Sequence, residues 1–206
     1  MTAPVVHQAA SLLLCYPGDD WPHRLATVHD AVRHVRGAES ALLARCCGTL
    51  RSAEPLALAT QYVATFDRSR RRSLHLTYYT DGDTRRRGAS LARLKDHYRA
   101  HGWLPPEDEL PDFLPLMLEF AARSPEPGLR LLAAHRPAIE VLRYALIAHR
   151  SPYADVLEAV CGTLPGPSPA SREEALRIAR NGPPAETVGL EPFPAQHGHV
   201  TQGTRR

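Results

Sequence analysis

"RRRSLHLTYYTDGDTRRRG", residues 70–88, sets two arginine triplets on either side of an apolar, tyrosine-bearing run that closes on Gly82-Asp83. Leu74, Leu76 and Tyr78 alternate as side chains of a strand would. A lone strand without partners is unstable, and almost every other apolar pattern in the chain has helical period, so this stretch reads as part of a helix or as an irregular packed turn. That reading makes the chain all-α.

The helices can be followed outward in both directions. Toward the N-terminus, Val5, Val6, Ala9, Ala10, Leu13 and Leu14 share one face before Pro17-Gly18 stops the run. Asp19 or Asp20 can cap a second helix, through Leu25, Val28, Val32 and Val35 to Gly37. A third carries Leu42, Leu43, Cys46 and Leu50, and a fourth follows Pro55 with Leu58, Tyr62, Val63 and Phe66. Toward the C-terminus, Asp81 or Asp83 can cap a helix with Leu91, Leu94 and Tyr98 inward, ended by Gly102. "LPPEDELPDF" reads as an acidic, proline-rich loop entering a helix through Leu114, Leu118 and Ala121, its acids suited to the positive end of the helix dipole. Further helices break at Pro137 and Pro152. The expectation is one helical domain over residues 1–165 and a Pro/Gly-rich, largely disordered tail over 166–206, relieved by a short helical candidate at 171–180.

A length of 206 residues suits one sizeable core. Net charge is +3, but its distribution is uneven. Residues 68–99 hold ten basic side chains against three acidic ones, whereas in 106–126 six acidic residues face only Arg123. Mutual pairing or a bipolar binding surface fits this better than a DNA-wrapping face. The four cysteines have no CxxC spacing, and neither a signal sequence nor an apolar run of about 20 residues is evident, which points to a reduced, cytoplasmic protein without an anchor.

Catalytic chemistry finds little support. His97 and His101 stand at i and i+4, yet without the Glu of a metalloprotease motif or an obvious third ligand, and surface histidines explain them better than a metal does. "GDTRRRG" lacks the Lys-Ser/Thr of a phosphate loop, and no GxSxG or GxGxxG occurs. The expectation is no enzyme, no metal and no stably bound cofactor. The alternative is a helical nucleic-acid-binding or regulatory protein using residues 68–99, with Tyr78 and Tyr79 stacking on bases; the neighbouring acidic loop would repel such a polyanion.

"YVATFDRSRRRSLHLTYYTDGDTRRRGASLARLKDHYRAHG", 62–102, and "ELPDFLPLMLEFAA", 109–122, with "SLLLCYP", "SPYADVLEAVC" and "GPPAETVGLEPF" in support, resemble the delta-subunit (NarJ) family of respiratory nitrate reductase assembly chaperones, within the TorD/DmsD group of redox-enzyme maturation proteins. The resemblance implies a single-domain helical bundle of the TorD-like type with no catalysis of its own. It implies binding to the N-terminal segment of the apo nitrate reductase alpha subunit, which stays competent for insertion of the molybdenum bis(guanine dinucleotide) cofactor and does not dock at the membrane early. A monomer that binds no nucleic acid is expected. Carried over residue by residue, the client-binding region is Tyr78, Tyr79, Gly82, Asp83, Arg87, Glu109, Pro111 and Asp112. One departure stands out: relatives usually have His after the Pro-Asp pair, and here the residue is Phe113.

Overall fold

Proline decides where many of the helices begin. In the structure, a computed structural model that describes residues 2–181, Pro22, Pro55, Pro115, Pro125 and Pro137 all sit in a first helical turn, where the missing N–H removes no intrahelical bond. The helices are α1 (Thr2–Leu14), α2 (Trp21–Arg33), α3 (Ala38–Arg51), α4 (Pro55–Tyr62), α5 (Thr77–Asp81) and α6 (Arg85–Ala100). Then come α7 (Leu114–Arg123), α8 (Pro125–Ala134), α9 (Arg136–Ala148), α10 (Ala154–Thr163) and α11 (Arg172–Asn181). The architecture is all-α, as the periodicity predicts.

α1 runs along α7 and also packs on α2, α3 and α10. Its Val6, Ala9, Ala10, Leu13 and Leu14 recur at helical spacing and are all buried. α8 folds back on α7 at close range: a Cβ placed on Gly128 would lie 2.2 Å from the Ala121 Cα, so only glycine permits the approach. α3 lies on α10, and α11 lies on α9 and touches α5. One continuous apolar core results, running from Val6 to Ala175.

Three local expectations change. α2 ends at Arg33 instead of running to Gly37, and Gly37, at φ +148°, opens α3. α6 is entered through Thr84 rather than Asp81 or Asp83, and the Thr84 hydroxyl donates back to the Asp81 carbonyl at 2.9 Å. The packed body also extends past residue 165. Ala175 of α11 is fully buried, and Arg136 donates to the carbonyls of Leu164, Pro165 and Gly166 (3.0, 2.7 and 2.7 Å) and to Ser168 Oγ, pinning the linker that leads to α11. Proline and glycine do prevent a helix over 165–170; the side chains of α9 order that stretch instead. The remainder of the expected tail, 182–206, lies outside the described residues.

The decisive stretch divides in two. Around His75 it is extended and pairs antiparallel with Phe113: the Leu114 N–H donates to the Leu74 carbonyl at 2.8 Å, and the Leu76 N–H to the Asp112 carbonyl at 3.0 Å. From Thr77 it turns helical as α5. The alternation of Leu74 and Leu76 was therefore a true extended signal, answered by the loop before α7 rather than by a second strand. Upstream, α4 widens into a π-helical turn over Val63–Asp67, followed by a 3-10 turn at Arg70–Arg72.

Candidate functional site

Asp112 organises the region that carries the sequence motif. It is fully buried, and each carboxylate oxygen has a partner: His75 Nδ1 donates to Oδ1 at 3.2 Å, while Oδ2 accepts from the Thr77 hydroxyl, the Thr77 N–H (3.2 Å) and Arg87 Nη2 (3.3 Å). Arg87 Nε also reaches Thr77 Oγ1 at 3.1 Å. Burial pushes the Asp112 carboxyl up, but hydrogen bonds from His75 and Thr77 and the charges of His75 and Arg87 outweigh it and hold the group below the ordinary carboxylate value. One ionised side chain thus joins the 75–77 stretch, the loop before α7 and the start of α6. Beside it, the Tyr98 hydroxyl donates to the Pro111 carbonyl at 2.7 Å.

The motif residues divide by role. Pro111 and Asp112 are inside, so the Asp112 carboxylate faces its neighbours in the fold and not solvent. Arg87 is half-buried and does pair with the acidic loop, as the adjacent charge blocks suggested. Tyr79 is buried, and its hydroxyl donates to the Ser73 carbonyl at 2.9 Å; burial pushes this phenol up and keeps it a donor. Tyr78 is half-buried, with its ring edge-on to Tyr79. Gly82 closes α5 at φ 61°, ψ −151°, a conformation that is essentially glycine-only, and Asp83 is exposed on the turn that follows. Among the eight, Glu109 alone lines a cavity of about 700 Å³.

That cavity, about 700 Å³, lies beside the His75–Phe113 pairing. Tyr16 from the end of α1, Tyr62 and Phe66 from α4 and its π-helical extension, His75, Glu109 and Phe113 form its walls, with Asp67 at its edge. Tyr62 anchors the wall by donating to the Leu14 carbonyl at 2.8 Å, and its ring lies 4.8 Å from that of Phe66. π-Helical turns recur at functional sites, and this one brings Phe66 and Asp67 to the cavity. Phe113 faces an imidazole after all, since the His75 ring lies 5.4 Å from its own. The resemblance did not single out Tyr16, Tyr62, Phe66, Asp67 or His75. The signal lay in the quoted "SLLLCYP" and "YVATFD": Tyr62 and Phe66 read as one face of the fourth helix, and Tyr16 follows directly on the first.

The arginine-rich segment does not present one face. Arg72 turns inward to the Thr65 carbonyl (2.7 Å) and Arg87 to Asp112, leaving Arg70, Arg71, Arg85 and Arg86 exposed. His101 donates through Nδ1 to the His97 carbonyl, and no group of three or more His, Cys, Asp or Glu able to hold a metal occurs among the described residues. All four cysteines are free, with Cys46 and Cys47 buried on α3. No helix among the described residues is long and apolar enough to cross a membrane.

The chain is similar to known proteins. The family model for the nitrate reductase delta subunit matches residues 31–159. A nitrate reductase-like protein NarX from Mycobacterium tuberculosis is 46% identical over 160 residues, 77% of this chain; the chain spans only 24% of that longer relative. NarJ of Bacillus subtilis, assigned by inference as a nitrate reductase molybdenum cofactor assembly chaperone, is 33% identical over 162 residues, covering 78% of this chain and 88% of its own. Escherichia coli NarJ, a nitrate reductase molybdenum cofactor assembly chaperone, is 37% identical over 109 residues, 51% of this chain and 45% of its own. The crystal structure of a proposed redox enzyme maturation protein from Archaeoglobus fulgidus superposes with a TM-score of 0.60 over 77% of this chain and 91% of its own, at 20% identity, and so shares the fold.

Proposed function

Because the chain belongs to the nitrate reductase delta subunit family, we propose that it is a chaperone for assembly of a nitrate reductase, acting on insertion of the molybdenum cofactor into that client. In this reading it binds the N-terminal segment of the apo alpha subunit, keeps that subunit open to the molybdenum bis(guanine dinucleotide) cofactor, and delays membrane docking until loading is done. The chain acts as a monomer in the cytoplasm, performs no catalytic step and holds no cofactor of its own. The cofactor is cargo for the client.

The observation that carries the reading is the aromatic cavity of about 700 Å³ edged by Glu109 and Asp67 and held in shape by the buried Asp112. Aromatic walls supply contact area at small entropic cost, and an amphipathic helix can fill such a groove through side chains at i, i+3, i+4 and i+7. Acidic edges steer a basic segment in, and apolar burial retains it. Tight binding is not needed: micromolar affinity is worth about 8 kcal/mol, which holds the open client by mass action and still lets go. Of the motif residues, Glu109 touches the client, while Tyr79, Gly82, Arg87, Pro111 and Asp112 shape the groove; Tyr78 and Asp83 lie on its α5 flank.

The test is recovery of a tagged copy from its own cytoplasm under nitrate-respiring conditions, after nuclease treatment, with mass spectrometry of what accompanies it. The expected companion is a large molybdenum-dependent reductase subunit lacking its cofactor. Nucleoprotein in its place would overturn the chaperone reading in favour of the arginine-rich segment.

A further inference from the structure

Tyr16 belongs to two cavities at once. On one side lies the site cavity with Phe66, Asp67 and Glu109; on the other is a second one of about 500 Å³ formed by Pro17 from the α1–α2 turn, by Trp21 and Pro22 from the start of α2 and by Pro55, Leu56 and Leu58 from α4. The two differ in chemistry. The first is edged by two carboxylates that have no ion-pair partner among the described residues. The second is mostly apolar, with Asp19 as its one charged wall residue.

Two large apolar side chains at this junction are in water: Tyr16 is 51% exposed and Leu56 73%. Elsewhere on the chain such side chains are mostly buried, so their meeting beside a second cavity is a surface shaped for contact. Tyr16 is also held in place. Its carbonyl accepts from Arg24 Nη2 at 2.6 Å and from the Gly18 N–H at 3.0 Å, and its ring stands edge-on to Tyr62 at 5.5 Å. Arg24 in turn lies over the Trp21 ring. An aromatic ring fixed beforehand loses little freedom when a partner covers it.

We infer that the client segment crosses Tyr16 and is read in two compartments: basic side chains beside Asp67 and Glu109, and an apolar anchor in the Trp21–Leu56 cavity, with the Tyr16 ring covered between them. This rests on the chaperone reading and deepens it by stating the chemistry of the bound segment. Opposite charge identifies the occupant of the first compartment, and uncovered apolar surface that of the second. A purely basic segment would satisfy only one compartment, and a purely apolar one only the other. Selectivity for a segment bearing both follows from the fold, because α1, α4 and the loop before α7 are fixed to one another through Tyr62 and the 74–76 pairing.

The experiment uses the full chain, a synthetic peptide of the alpha subunit's N-terminal segment, and the apo alpha subunit itself, with binding read by calorimetry at low and high salt. Tyr16→Ala is expected to weaken peptide binding about 30-fold, as loss of a central aromatic contact does. Leu56→Asp, at an exposed position that folding does not depend on, is expected to weaken it about tenfold at either salt concentration. Asp67→Asn with Glu109→Gln should weaken binding at low salt and flatten its salt dependence. Replacing the peptide's basic residues by Gln should make that double variant no worse than wild type, and truncating its apolar anchor should do the same for Leu56→Asp. If wild type binds the peptide while Tyr16→Ala and Leu56→Asp bind it equally well, the two-compartment inference falls and the chaperone reading stands. If wild type captures the apo subunit but not the peptide, the segment is wrong and the inference falls with it. If wild type captures neither, the chaperone reading itself fails.

Discussion

The α1–α7–α8 packing and the Asp112 region hold the chain together by opposite means. The first is apolar contact at close range: Leu13, Leu14, Leu118 and Phe120 are fully buried, and Gly128 meets Ala121 without room for a methyl group. The second is a single ionised carboxylate on the loop before α7, receiving donors from two other segments, the 75–77 stretch and the start of α6. Packing of the first kind depends on volume and is indifferent to which hydrogen bonds exist nearby. A polar junction of the second kind depends on every partner being present, since removing one strands the others. The apolar region forms a frame, and the polar one sets the loop that edges the groove.

Removing the carboxylate should separate the two regions most clearly. Asp112→Ala leaves Arg87, His75 and Thr77 without their acceptor and is expected to cost about 3–5 kcal/mol in urea unfolding. Client-peptide affinity should fall even where the helical circular dichroism signal persists. If stability and peptide affinity are both unchanged, Asp112 does not organise the groove.

Acid separates the regions on a second axis. His7 on α1, hydrogen-bonded to Thr163 Oγ1 at 2.8 Å, is lowered from 6.5 to about 4, chiefly by burial. The unfolded chain therefore takes up this proton below pH 6.5 while the folded chain does not, so stability is full above 6.5 and falls as the pH drops toward 4. The loss amounts to about 3 kcal/mol from this residue. Burial lowers His97 and His135 in the same direction. Asp112, held below 3.8, contributes stability above that value which is lost only at lower pH. Denaturant melts between pH 7.5 and 3 should show the histidine phase first, and His7→Gln should flatten it while leaving the Asp112 phase intact.

Volume tests the frame alone. Gly128→Ala should push α8 from α7 and cost about 1–3 kcal/mol, lowering Tm without altering peptide affinity at temperatures where the fold holds. The smallest effect belongs to the exposed arginines: Arg85→Ala with Arg86→Ala should change stability by less than about 0.5 kcal/mol. A large loss would mean that they take part in the Asp112 junction.

The frame was legible in the sequence because burial of one helix face writes itself as spacing, and α1, α7 and α9 carry it plainly. The Asp112 junction was not. Periodicity says nothing about which polar side chain is inside, and an acid in an acidic loop reads as solvated until Tyr98, His75 and Arg87 are seen to close around it. The groove was half legible: Glu109 came from the motif, whereas Phe66 looks like any other core aromatic on a helix face and Tyr16 falls in the turn after α1, where periodicity says nothing. α11 was recognised as a helix, yet its attachment depends on Arg136, some thirty residues earlier, and no local pattern announces that bond.

The partnership of α1 with α7 and α10 also fixes when the protein can finish folding. α1 waits for segments about a hundred residues or more behind it in the chain. Until residue 123 has emerged, the apolar face of α1 has only α2 and α3 to cover it, and α3 waits for α10, complete at residue 163. Completion is thus a late, long-range event, slower than local pairing of neighbouring helices. On the chaperone reading proposed above, a protein that protects an unfinished subunit is itself, until α7 and α10 have been made, an unfinished subunit with its apolar surface exposed.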